Sequence, residues 1–101
     1  MVYMYIWFYK INPSYVEEFE KEYGANGKWI KLFQNSPHYQ ETILLKNSDQ
    51  PHSYRTIDIW DNYEAYINFK TENEKEFNEI DNYCEQFTLK EQFEGNFEKI
   101  K

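Results

Sequence analysis

The stretch VYMYIWFYKI, residues 2–11, decides how this chain is read. It alternates rather than cycles: Tyr3, Tyr5, Trp7 and Tyr9 fall on one side of an extended backbone, and Val2, Met4, Ile6 and Phe8 on the other. Large side chains on both sides mark a strand covered on both faces, hence a central one. Asn12-Pro13 then supplies a helix cap followed by proline at the first helical position. Tyr15 or Val16, with Phe19 and Tyr23, forms the apolar stripe of that helix, and Gly24 is expected to end it in a left-handed conformation.

Beyond Ala25-Asn26-Gly27, a short helix carries Trp29, Leu32 and Phe33 and stops at Ser36-Pro37. Residues 38–46 (HYQETILLK) and 54–60 (YRTIDIW) read as strands joined by a polar turn containing Pro51. In the second of these, Tyr54, Thr56, Asp58 and Trp60 share one face, and Arg55, Ile57 and Ile59 the other. Asp61-x-x-Glu64 and Thr71-x-x-Glu74 resemble capping boxes for two further helices, the latter with a stripe of Phe77, Ile80, Tyr83, Cys84 and Phe87. Residues 93–100 give a weak last strand with a bulge at Gly95. The order is β-α-β-β-α-β, an α+β class, ferredoxin-like antiparallel sheet with helices on one face, in a single domain spanning 1–101.

Helices on one side leave the central strand's other face without a cover, and a second copy of the chain is the simplest one. A homodimer is therefore expected, with the Tyr3, Tyr5, Trp7 and Tyr9 row as its seam, since tyrosine and tryptophan are enriched at interfaces. The same row, with Trp60, could instead stack a flat ligand.

Composition narrows the function. Aromatics are 21% of the 101 residues, more apolar area than one small core needs, so a cavity or an interface should take the surplus. A formal net charge of −7 repels phosphate backbones and anionic lipid surfaces, which argues against nucleic acid and membrane as partners. No stretch approaches the roughly 18 apolar residues of a membrane span. Cys84 is the only cysteine and sits in a helical stripe, which fits a buried thiol in a reducing, cytoplasmic setting. Two histidines and one thiol at these spacings make no metal site, and no phosphate loop or nucleophile elbow is present.

Two residues stand out as ionisable groups with work to do. Asp58 lies mid-strand between Thr56 and Trp60, where a carboxylate must be paired, hydrogen-bonded or shifted in pKa. An ion pair or a tyrosine hydroxyl across a dimer would satisfy it; so would service as a base. His38 opens the second strand and titrates near neutral pH when free. His52 sits in a turn, where solvation is its ordinary state.

The string YRTIDIWDNYEAYINF, residues 54–69, together with EKEYGANGKWIKLF and HYQETILL upstream, resembles the antibiotic biosynthesis monooxygenase-like family. The resemblance implies a dimeric α+β barrel with a pocket between sheet and helices in each subunit. Members of that family include cofactor-free oxygenases of phenolic substrates, haem-degrading enzymes and proteins without known activity. The haem-degrading members use an Asn in the first strand, a Trp in the helix after the third strand and a His in the next helix. Here the first strand has no Asn before Asn12, Phe69 stands at the Trp position, and no histidine follows His52, so the haem set is missing.

What remains implied is a monooxygenase that needs no cofactor and acts on a small aromatic or quinol-like compound. Asp58 or His38 would deprotonate it, and Trp7, Tyr9, Trp60, Tyr66 and Phe69 would shape the pocket. The alternative is a non-catalytic dimer that binds a small ligand or serves as a stress-related accessory protein.

Overall fold

The computed structural model describes residues 2–100. Its elements run β1 (Tyr3–Ile11), α1 (Val16–Tyr23), α2 (Lys28–Phe33), β2 (Tyr39–Lys46), β3 (Ser53–Trp60), α3 (Tyr63–Glu72), α4 (Glu74–Cys84) and β4 (Thr88–Glu98). All strand pairings are antiparallel, in the order β2-β3-β1-β4, so β1 is central. The four helices pack on one face. This is the ferredoxin-like α+β arrangement that the alternation of apolar runs implies.

The aromatic row of β1 does not form an exposed seam. Register places Tyr3 opposite Trp60, Tyr5 opposite Asp58, Trp7 opposite Thr56 and Tyr9 opposite Tyr54. Opposed residues share a face, so the β1 row joins the buried row of β3, and the helices cover both. Tyr9 meets Phe19 and Tyr23 of α1 at ring separations of 5.4 and 5.2 Å, and Tyr5 meets Tyr66 of α3 at 4.7 Å. Trp60, Phe19 and Ile11 are fully buried in this layer.

The face left without helices is the other one. Met4, Ile6 and Phe8 of β1 lie there, opposite Ile59, Ile57 and Arg55 of β3, which in turn face Glu41, Ile43 and Leu45 of β2. Leu45 and, on β4, Phe97 remain nearly half exposed.

Several local expectations shift by a residue or fail. Gly24 is extended (φ −90°, ψ −172°) rather than left-handed. A Cβ there would sit 2.5 Å from the Glu20 carbonyl oxygen, so the glycine serves close approach. Asn62, not Asp61, caps α3: its Oδ1 accepts from the Ala65 N–H at 2.8 Å. Thr71 caps nothing, because it lies inside α3, and α4 starts after Asn73 without a side-chain cap. The last strand is longer than its apolar content suggests and starts at Thr88, since pairing along β1 rather than burial holds its polar first half. Its register shifts between Ile6 and Trp7, and Gly95 takes φ +122°, the bulge expected there.

Candidate functional site

Between the helices and the covered face of the sheet lies a cavity of about 300 Å³, at the small end of ligand pockets. The sheet contributes Tyr5, Trp7 and Tyr9 from β1, Thr42 from β2, and Thr56 and Asp58 from β3. Tyr23 of α1 and Trp29 and Phe33 of α2 form one wall; Tyr66 of α3 and Phe77 of α4 form another. Lys70, Asp81 and Glu91, all exposed, sit at the rim.

Asp58 is the only carboxylate in the deep part of this lining, and the strand register explains how it is held. Its neighbours across the sheet are Thr42 on β2 and Tyr5 on β1. The Thr42 hydroxyl donates to Asp58 Oδ1 and is itself 2.7 Å from the Tyr39 hydroxyl. No cation pairs with Asp58 among the described residues. Burial therefore pushes its carboxyl up to about 6, against the lowering pull of hydrogen bonds from Thr42 and Tyr5. A carboxyl that titrates there is ionised at neutral pH yet basic enough to take a proton.

The tyrosines around it move the same way. Burial raises Tyr5 and Tyr9 well above the usual phenol value, and the Asp58 charge adds to both. Tyr66 is pushed up to about 12, again chiefly by burial. All three stay protonated near neutral pH; the Tyr5 O–H is already given to Asp58, which leaves Tyr9 and Tyr66 to donate to an anion forming in the cavity. The Trp29 indole N–H, buried in the wall, makes no well-formed hydrogen bond among the described residues, although it lies towards the Tyr23 hydroxyl and the Cys84 thiol.

The structure distributes the sequence-predicted residues unevenly. Asp58, Trp7, Tyr9 and Tyr66 line the cavity. Trp60 and Phe69 do not: they stand behind it, their rings 5.3 Å apart and tilted by 46°, and Trp60 meets Tyr66 at 5.3 Å. They set the position of Tyr66 rather than touch the space.

His38 is elsewhere. It borders a separate depression with Pro37, Ala65 and Asn73, and its Nδ1 lies 3.2 Å from Asp61 Oδ2. Gln40 holds the other Asp61 oxygen at 3.0 Å. His38 opens the strand one residue outside its paired part, which turns it to the edge, so it does not share the Asp58 cavity. His52 takes φ +60° in the β2–β3 turn, also away from it.

Sequence reasoning missed Tyr5 as a cavity residue, Thr42 as the partner of Asp58, and the wall from Tyr23, Trp29, Phe33 and Phe77. Parity already put Tyr5 beside Trp7 and Tyr9; only the choice of face was open. Thr42 could not be found without the β2–β3 register.

No protein-family model matches the chain, and no curated protein matches it in sequence. Solved structures do. SnoaB, a cofactor-independent oxygenase from Streptomyces nogalater, superposes with a TM-score of 0.74 at 16% identity, over 99% of this chain and 94% of that one. The chain shares the fold of that oxygenase. A protein of Nitrosomonas europaea named as a candidate antibiotic biosynthesis monooxygenase gives 0.74 at 9% identity, over 98% and 90%. A conserved protein from Methanosarcina mazei Go1 gives 0.74 at 12%, over 99% and 94%. At these identities the likeness carries the fold alone, while the chemistry has to come from the cavity.

Proposed function

We propose that the cavity binds a small aromatic, quinol-like compound and that Asp58 removes its hydroxyl proton for a cofactor-independent oxygenation. The observation that carries this reading is a buried, unpaired carboxylate facing an aromatic-walled space. A structural carboxylate at that depth would normally be ion-paired. Loss of the proton leaves an electron-rich anion, and that anion itself supplies the electrons that reduce oxygen. Tyr9 and Tyr66 offer hydroxyls to the charge, Tyr5 holds Asp58, and Trp7 lies along the cavity as a flat wall. The oxygenase named SnoaB, with the same fold, supports the reading by analogy.

His38 has no part in this scheme, because it is not at the cavity. Oxygen uptake with a panel of hydroquinones tests it. Wild type should consume oxygen above background and Asp58→Asn should lose most of that rate, since general-base catalysis contributes about 10²–10⁴-fold. Equal background uptake in both would leave a non-catalytic ligand-binding protein as the reading.

We also propose that a second copy covers the open sheet face. Met4, Ile6, Phe8, Ile43, Ile57 and Ile59 are half-buried there, with the exposed Leu45 and Phe97 beside them. A contiguous apolar sheet face of this kind is what an isologous interface buries. A cytoplasmic setting fits Cys84, which is free and buried.

A further inference from the structure

The charges around the cavity are one-sided. Asp58 lies in its depth, and Asp81 and Glu91 lie at its rim, one from α4 and one from β4. Against these three carboxyls stands a single cation, Lys70, whose Nζ already lies 5.1 Å from the centre of the Phe77 ring. Neither Asp81 nor Glu91 has a basic partner among the described residues. The register sets Glu91 directly opposite Tyr9, so its carboxyl is carried on the covered face of the sheet, towards the cavity. The Tyr9 hydroxyl feels all three acids at once: Asp58, Glu91 and Asp81 each add to its upward shift. The walls between them are aromatic, and the faces of tyrosine, tryptophan and phenylalanine attract cations. Lys70 over Phe77 shows one such face in use.

We propose that this cavity selects a small aromatic cation, a ring bearing a protonated amine, over neutral and anionic compounds of the same size. The proposal rests on the cavity being the ligand site and adds the charge of the ligand. The ring would lie against Tyr5, Trp7 and Tyr66 with its hydroxyl towards Asp58. The ammonium would point outward, between Asp81 and Glu91. An anion would meet the same acids with Lys70 as its one attraction.

The test uses three near-isosteric phenols that differ in charge: tyramine, 4-ethylphenol and 3-(4-hydroxyphenyl)propionate. Their binding to the full chain is measured by titration calorimetry near neutral pH. Tyramine should bind about tenfold or more tighter than 4-ethylphenol, and the propionate should show no binding. The double variant Asp81→Asn, Glu91→Gln should erase most of the tyramine preference while leaving 4-ethylphenol affinity in place. Both residues are exposed, so their replacement spares the core, and a circular dichroism melt checks that it does. Added salt should shrink the preference as the rim charges are screened.

If 4-ethylphenol binds as tightly as tyramine, or the double variant keeps the preference, selection for a cation is overturned while the cavity remains a ligand site. If none of the three phenols binds, the reading of the cavity as a site for small phenols falls with it.

Discussion

Replacing Asp58 by Asn should stabilise the protein at pH 8 and leave it nearly unchanged at pH 4. The folded state holds this carboxyl to about 6, against an ordinary value of 3.8. Because the folded value is raised, the native state binds the extra proton, and stability is lost as pH rises from about 4 to about 6. Above that window the loss is complete. At 1.36 kcal/mol per pH unit, keeping Asp58 ionised costs the fold about 3 kcal/mol. Asparagine keeps the shape and can still accept from Thr42 through Oδ1, but carries no charge to desolvate. That figure is net, since it already sets the lowering pull of the Thr42 and Tyr5 hydrogen bonds against burial. Urea unfolding of both proteins at a series of pH values measures the difference directly, with unchanged m-values as the check on two-state behaviour. A variant that is less stable than wild type at pH 8, or whose difference from wild type is flat between pH 4 and 8, refutes the argument. Stability gained with activity lost is the signature of a group kept for chemistry.

Thr42→Val should raise the Asp58 titration above about 6, since it deletes a donor that favours the charged form; a carboxyl-carbon NMR titration reads it. Ile57→Glu on the open face should give a monomer in sedimentation, whereas Tyr5→Glu should unfold the chain by burying a charge. Trp60→Ala should cost about 3–5 kcal/mol in urea unfolding, because the ring is fully buried among Phe33, Tyr66 and Phe69. Cys84 should resist thiol reagents in the native state, its thiol being buried and pushed up to about 11.

The sequence makes the architecture legible where periodicity is strong. The period-two runs at 2–11 and 54–60 identify β1 and β3 and sort their faces, and the Tyr54, Thr56, Asp58, Trp60 row is the buried one. Parity, however, says which residues travel together and not which way the set faces. Both sides of β1 are rich in apolar groups, so the helix-covered side depends on tertiary packing. The Tyr3–Tyr9 row goes inward because β3 offers Trp60 and Tyr54 on the matching side. Asp58 was legible as an oddity for the same reason that it matters: charge seldom sits mid-strand. Thr42 was not, since a threonine in a strand is ordinary until register sets it beside a carboxylate. His38 drew attention as an imidazole, a residue type suited to acid–base work, which says nothing about where a backbone will carry it.

The bulge at Gly95 does more than bend an edge strand. Before it, odd-numbered residues of β4 look towards the helices: Glu91 lies opposite Tyr9, and Phe93 opposite Trp7, 5.2 Å away. After it, odd-numbered residues look the other way, with Gly95 opposite Ile6 and Phe97 opposite Met4. Phe93 and Phe97 are four apart and would share a side in a regular strand. One extra residue inverts the alternation, so Glu91 and Phe93 stand on the cavity side while Phe97 stands on the open one. Each half still serves both faces: Gln92 lies opposite Phe8 on the open side, and Asn96, opposite Tyr5, accepts from the Tyr3 hydroxyl on the covered side. Deleting one residue at this point would turn Phe97 towards the helices and take Asn96 away from Tyr3.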